Sequence, residues 1–526
     1  MRALLVTSVG VTCAAALTLP LAAPALSAPA PLSASARPPS VSPESPGSGP
    51  PSSVRAEAGS SRAADTAPLL SSSRTTETRA AELAGSTQSL PLEPLAAPSD
   101  RVAGAAAGQG LAQRDARPFS LVGVVWDDAD AELHGTVQVR TRATGGESWS
   151  EWQDVETHNA EHAADLGSTE RASGAVRGAT APLWVGDSDG VEVRVRPEAA
   201  DPQHRAAAVP LPEGLRLELV DPGEDPAAEE ATGTAPDTAP ETAPEPAPEP
   251  ARAAPAGRSA TPATFAVNPA PPTTTTAVPE ALTAESAAAS AVNADLAPLG
   301  ASVIPELTKA ETEEEAAIVA AGAKPYIGPR PKIITRKGWG ADEKLRERNF
   351  AYTKSVKAAF VHHSATGNNY TCKQAPSVLR SIYRYHVKSS GWRDFGYNFA
   401  VDKCGNIYEG RAGGVAKAVL GAHTLGFNTN TMGVAVLGTY SSTNPPAAAV
   451  TAVSKLTAWK LGLFGANPKG KVTLTSGGSN KYKAGVKVKM NVISGHRDGF
   501  ATECPGARLY KKLGTARTSS AKLQGR

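Results

Sequence analysis

The chain has 526 residues and a formal net charge of only +2, a near-neutral total that hides two opposite halves. Residues 331–526 carry 31 Lys and Arg against 8 Asp and Glu, a net of +23, whereas residues 1–330 carry 22 against 43, a net of −21. This asymmetry argues about partners more than about fold, and beyond the amino terminus no segment is apolar enough to exceed the ~20 residues of a spanning helix.

Met1 and Arg2, the apolar stretch Ala3 to Leu21 and the small residues Ala23-Pro24-Ala25 predict a secretory signal over residues 1–28, with a second cleavage option near Ala28. Pro20 and Pro24 interrupt the run too early for a membrane anchor. The mature chain is therefore expected to be secreted, extracellular or wall-associated, with no membrane contact after signal removal. Residues 29–116, rich in Ala, Ser and Pro, offer too little apolar surface to offset chain entropy and are predicted to be disordered.

From 117 to 222 the pattern changes to short alternating runs: Val122 to Trp126, Thr136 to Thr141, Leu183 to Val185, Val191 to Arg196 and Leu215 to Val220. Period-two alternation broken by Gly, Asp and Pro predicts a small all-β sandwich domain. Four of the seven tryptophans lie here, Trp126, Trp149, Trp152 and Trp184; buried they are core filling, and exposed they could stack on sugar rings. Residues 223–330 open with an acidic Pro-Ala-Thr array from Asp237 to Pro248, which reads as an extended spacer. A helix is expected around Ala310 to Ala321.

The segment 331–515 is predicted to be an α/β domain with a mixed central sheet flanked by helices, followed by a basic tail over 516–526. Val356 to His362 reads as a strand, and Ala375 to Lys388 as a helix ending before Gly391. Tyr397 to Val401 and Ile407 to Arg411 read as a hairpin around Lys403-Cys404-Gly405-Asn406. Met432 to Leu437 is a buried strand, Pro446 to Phe464 a helix, and Val492-Ile493 a strand that delivers His496. Pro505 suits the first position of a last helix, which would set Cys504 at a helix amino terminus where thiolate is favoured.

His362, His496 and Cys504 supply two imidazoles and a thiol, the donor set of a zinc ion that keeps its fourth position open for water or substrate. The chemistry that follows is that of a zinc hydrolase. His363 adjoins a ligand but faces the other side of a strand, so it is expected in the core or behind the ligands. Glu503, though next to a ligand, need not point the same way. With Cys13 in the signal, three cysteines remain, Cys372, Cys404 and Cys504; an odd number in an oxidising compartment permits three pairings, of which Cys372 with Cys404 leaves Cys504 for metal.

The runs His362-His363-Ser364-Ala365, Ser390-Gly391-Trp392-Arg393-Asp394-Phe395-Gly396-Tyr397-Asn398-Phe399, Tyr408-Glu409-Gly410-Arg411, Gly421-Ala422-His423-Thr424 and Thr502-Glu503-Cys504-Pro505-Gly506 together resemble the peptidoglycan recognition protein family. That family overlaps the zinc-dependent N-acetylmuramoyl-L-alanine amidases of phage-lysozyme type. The proline-spaced, secreted architecture resembles that of wall proteins from high-GC Gram-positive bacteria. The resemblance covers about 331–515 and implies zinc held by His362, His496 and Cys504, with Tyr397 and Thr502 as catalytic polar groups. It also implies that His386, Gly391, Trp392, Arg411 and His423 line a groove for peptidoglycan. Gly391-Trp392 matches members associated with meso-diaminopimelate stem peptides, and Arg411 would pair the extra carboxylate of that residue. Non-cleaving members typically lack the cysteine ligand, so the expectation is an amidase, the alternative being a muropeptide recognition module. The basic charge also suits teichoic acid or other anionic wall polymers. Nucleic acid is not expected, since the Lys481 to Lys489 run lacks regular aromatic interleaving. The segment Ala466 to Asn491 is long for its place between helix and second histidine, and its local shape is not predicted.

Overall fold

The computed structural model describes residues 85–95, 108–198, 209–225, 282–319 and 326–526. The predicted signal, residues 29–84 of the predicted disordered segment and the proline array lie outside them. The described residues fall within one compact unit, Pro68–Arg526, and among them no helix is long and apolar enough to cross a membrane.

The first domain is all-β. Its strands are β1 (Ser86–Pro91), β2 (Glu93–Pro94), β3 (Gln109–Trp126), β4 (Gly135–Ala143), β5 (Gln153–Val155), β6 (Gly178–Ala179), β7 (Leu183–Pro197) and β8 (Arg216–Asp221). They hydrogen-bond as one sheet in the order β1-β8-β3-β7-β4-β5, with β2 and β6 added to β3. The domain starts earlier than composition suggests. β1 and the first part of β3 fall in the stretch predicted to be unstructured, yet β1 pairs antiparallel with β8 from Ser86 opposite Asp221 to Pro91 opposite Arg216. A ladder to a strand more than a hundred residues away stabilises a segment that has little apolar content of its own.

β3 explains how this domain meets the next. Its last residues, Leu121 to Trp126, are an unbroken apolar run except for Gly123, because both faces are buried. Val122, Val124 and Trp126 point into the domain's own core with Val137, Val193 and Leu217. Leu121 and Val125 join a second core with Val378, Leu379 and Ile382 of the following domain. Gly123 admits the Tyr385 ring, since a Cβ there would lie 2.4 Å from the phenol oxygen, and the Tyr385 hydroxyl donates to the Thr180 carbonyl at 3.1 Å. Trp126 and Trp184 are core residues. Trp149 and Trp152 are partly exposed and lie against arginines, Arg194 sitting 3.8 Å from the Trp152 ring centroid.

The second domain comprises α1 (Ala284–Ala291), β9 (Val303–Ile304), α2 (Lys309–Val319), β10 (Ile333–Ile334), β11 (Ala358–His363), α3 (Ala375–Arg384), β12 (Phe399–Val401), β13 (Ile407–Glu409), β14 (Thr431–Val436), α4 (Ala447–Leu463), β15 (Lys471–Thr475), β16 (Lys487–Asn491), β17 (Ile493–Gly495), α5 (His496–Gly499) and α6 (Ala507–Gln524). The main sheet runs β17-β11-β14-β12-β13-β10-β9. β11 is parallel to β14 and β17, whereas β12 and β13 form the expected antiparallel hairpin. The unassigned segment after α4 is a second hairpin, β15 with β16.

Three further boundaries differ from expectation. The predicted spacer over 223–330 is too long at both ends. Residues 209–225 complete the first domain, and α1, β9 and α2 belong to the second, where Ile304 pairs with Ile333 and Ala297, Ile304 and Ala316 enter its core. The side chain of Asn293 donates to Glu409 at 2.9 Å and accepts from the Val415 N–H at 2.8 Å. The predicted basic tail over 516–526 is the end of α6. Leu509, Leu513, Ala516, Ser520 and Ala521 recur at helical spacing and are buried, which the intervening Lys and Arg residues obscure in the sequence.

Candidate metal centre

β11 is buried throughout, and its alternation decides which histidine serves the site. Ala358 and Phe360 face one core with Phe427 and Met490, while Ala359 and Val361 face the other. His362 continues the Phe360 side. His363 lies on the opposite face, where its Nδ1 accepts from the Tyr440 N–H at 3.2 Å. His496 begins α5 where β17 ends, beside the carboxyl end of β11, the edge of an open sheet at which ligands generally bind. The turn is fixed by Asp498, whose carboxylate accepts from the Gly495 N–H at 2.9 Å.

Cys504 arrives from the loop between α5 and α6. The Arg497 N–H donates to the Cys504 carbonyl at 3.0 Å, and the Cys504 N–H donates to Thr502 Oγ1 at 3.1 Å. The expected helix amino terminus is not there: α6 starts at Ala507, beyond Gly506. Cys504 therefore lies outside the first helical turn, and burial pushes its thiol well above the ordinary range. No helix amino terminus stabilises its thiolate; the nearby Arg497 favours it, and a bound metal would do so most strongly. Cys372 and Cys404 form the disulfide.

The structure brings His362, His496 and Cys504 together, and adds a residue from the first domain. Donor atoms of His162, His362, His496 and Cys504 all lie within 4.8 Å of one another, and all four residues are buried. The Cys504 Sγ is 3.7 Å from His362 Nδ1. Ring centroids of His362 and His496 are 4.5 Å apart, those of His162 and His496 4.5 Å, and those of His162 and His362 5.3 Å. Burial holds these imidazoles neutral, with His162 lowered to about 3 and His362 and His496 well below 6.5. Neutral imidazole is the form that binds metal. Two imidazoles and a thiol at such separations, on three elements locked into one sheet edge, fit a zinc ion.

Tyr397 stands beside the cluster, its ring 5.2 Å from His362. Burial, then the nearby Cys504 and Glu161, raise its phenol well above 10, so it stays a hydrogen-bond donor. Thr502 donates to the carboxylate of Glu161 at 2.7 Å. His386 accepts from the Gly396 N–H at 3.2 Å and stacks on Trp392 at 4.3 Å. His423 sits behind His362, with its Nδ1 3.0 Å from the Thr424 hydroxyl and its Nε2 3.4 Å from that of Thr431. It is fully buried, with its ring 5.3 Å from that of His362. Glu503 points to solvent and pairs with Arg497 at 3.0 Å.

Arg411 is the predicted groove residue whose surroundings differ most from expectation. It is buried in a two-pronged ion pair with Glu170 of the first domain, at 2.8 and 2.9 Å. Burial opposes ionisation of Glu170, but the Arg411 guanidinium outweighs it and holds the carboxyl below its ordinary 4.5. Glu161, His162 and Glu170 all come from the loop 156–177 between β5 and β6, and none was anticipated. The connection holds only two short 3-10 turns, Ala160–His162 and Arg171–Ser173, and the one available signal was its length, since long connections of this kind are usually functional.

Residues 75–213 match the family described as Rv3811 N-terminal galactose-binding domain-like, and residues 352–507 match the N-acetylmuramoyl-L-alanine amidase family. The chain is similar to peptidoglycan-recognition protein SC2 of Drosophila melanogaster, 31% identical over 185 residues that span 35% of this chain and 85% of that protein. It is also similar to an N-acetylmuramoyl-L-alanine amidase of Homo sapiens, 32% identical over 39% of this chain and 32% of that protein. Among solved structures, peptidoglycan recognition protein LE in complex with tracheal cytotoxin is 28% identical, with 35% of this chain and 92% of that one covered and a TM-score of 0.28.

Proposed function

The chain belongs to the peptidoglycan recognition protein and N-acetylmuramoyl-L-alanine amidase family, and on that premise we propose that it hydrolyses the amide between N-acetylmuramic acid and L-alanine in peptidoglycan. His362, His496 and Cys504 would hold zinc. The observation that carries this reading is the convergence of those three donors beside Tyr397, the full complement a hydrolytic centre requires. Bound there, zinc supplies a Lewis acid and lowers the pKa of water towards ~7.

The protein's own groups do the rest. Tyr397, kept protonated by burial, donates to the oxygen on which negative charge develops, and Thr502 offers a second hydroxyl once Glu161 releases it. Arg411 would receive a stem-peptide carboxylate, consistent with a diaminopimelate-type peptide, against the wall formed by Gly391, Trp392 and His386. The predicted signal over 1–28 and the basic second domain suit a secreted protein acting on an anionic wall.

The full chain loaded with zinc should release new L-alanine amino termini from purified walls on long incubation. Release should fall to background with chelator and with Cys504→Ser. Wall binding without any new L-alanine termini, whatever the metal, would favour the non-cleaving recognition reading.

A further inference from the structure

We propose that His162 is a fourth, displaceable ligand of the metal, through which the loop 156–177 keeps the centre closed and the enzyme latent; this rests on the amidase reading above. Three protein donors leave a zinc ion open, and four close it. His162 makes the fourth, within 4.8 Å of the other three donors. It is 5% exposed, and among the described residues neither ring nitrogen makes a hydrogen bond of ordinary geometry. An imidazole buried without a partner is disfavoured, and ligation resolves that cost.

The same loop also engages Thr502, Arg411 and the turn 425–428. Glu161 accepts from the Thr502 hydroxyl, and its carbonyl accepts from the Leu425 N–H at 2.9 Å. Asp165 accepts from the Gly426 N–H and from the Asn428 side chain, both at 2.8 Å. Glu170 fills Arg411 and accepts from the Arg393 N–H at 3.1 Å. Its carboxylate stands where the carboxylate of a stem peptide would bind, so loop and substrate compete for one guanidinium. Further along, the Arg177 N–H donates to the Ser390 carbonyl at 3.1 Å. A Cβ on Gly391 would lie 1.8 Å from the Ala175 carbonyl oxygen, so the loop backbone lies directly on the groove wall.

Displacement is feasible because most of these contacts are polar, although Ala163 and Ala164 of the loop are buried and Leu166 is 54% exposed. The apolar contact between the domains is centred on β3 and α3 and reaches Ala179, just beyond the loop. The loop can lift while the domains stay docked. Opening would exchange His162 for water at the metal and release the Glu161–Thr502, Asp165–Asn428 and Glu170–Arg411 contacts, with no covalent bond changed.

The test uses the full chain with Co2+ in place of zinc, as wild type and as His162→Ala. The wild-type visible spectrum should be unchanged by added acetohydroxamate, because no position is free, whereas that of His162→Ala should shift on its addition. His162→Ala should also lose metal to chelator at least ~10-fold faster and release L-alanine termini from walls at least ~10-fold faster. A wild-type spectrum that already shifts with acetohydroxamate overturns the proposal, even if the variant does not fold. Superimposable spectra for the two proteins overturn it as well. If the spectra differ as expected but neither protein cleaves walls, the ligand assignment stands and the amidase reading fails.

Discussion

The two sides of the metal centre are held by different physics. On one side, His362, His496 and Cys504 issue from β11, from the β17 to α5 junction and from the turn before α6, each backed by buried sheet and helix. On the other, His162 ends a single 3-10 turn, Ala160–His162, within a long connection that is held largely by polar contacts, among them hydrogen bonds to the carboxylates of Glu161, Asp165 and Glu170. Such bonds contribute about 1.5–3 kcal/mol each, enough to keep the loop down against a small metal ligand and little enough for a stem-peptide carboxylate competing at Arg411 to lift it. The floor is thus built to stay and the cover to move.

Removing a floor ligand should have the largest effect. Cys504→Ser is expected to reduce release of L-alanine termini to background while the full chain keeps its far-ultraviolet circular dichroism. Retained activity would mean that the cluster is not the reaction centre. On the cover, Glu170→Ala takes the carboxylate partner from the buried Arg411, leaving it the Phe395 and Leu420 carbonyls, at a cost of up to about 3–5 kcal/mol. Hydrogen exchange should then accelerate over residues 156–177 and hardly at all over β11. Equal acceleration in both would show that loop and floor open as one unit. Tyr397→Phe should lower turnover by about 10²-fold with zinc content unchanged.

The acid-side pH dependence of the cover is set by Glu170, which faces Arg411 and Arg393, with Asp394 nearby on Arg411, while burial raises Glu161 and Asp165 of the same loop. Its folded-state pKa is depressed, so the ion pair contributes fully above its unfolded value of 4.5 and is lost as pH falls through the lower folded value. Hydrogen exchange of 156–177 should therefore rise below pH 4.5, and Glu170→Gln should flatten that rise. The smallest change expected is at the apolar junction. Tyr385→Phe removes the hydroxyl that donates to the Thr180 carbonyl and should cost about 1 kcal/mol of unfolding free energy without altering loop exchange.

Much of the floor could be read before folding because its residues sit in short local patterns. The strand ending in His362-His363 alternates, so the two histidines had to face opposite ways, and they do. The hairpin around Cys404 and the helices 375–384 and 447–463 carry ordinary periodicity and turn signals. The cover was illegible for the same reason in reverse. Nothing in Asn159-Ala160-Glu161-His162 is periodic, and its meaning depends on a domain two hundred residues away. β1, and α1 and β9 in the carboxyl part of the predicted spacer, were missed likewise, because distant partners, β8 and the second-domain core, order them, whereas the helix expected around Ala310 to Ala321 is there as α2. Cys504 shows a subtler error: Pro505 suggested a helix start, but Gly506 intervenes and the helix begins at Ala507.

The most direct test of the central claim is end-group analysis of purified peptidoglycan incubated with zinc-loaded full chain carrying His162→Ala. The account predicts new L-alanine amino termini that appear with zinc, vanish with chelator and are absent when Cys504→Ser is added. A zinc-loaded, folded protein that binds the walls yet frees no L-alanine termini would contradict it.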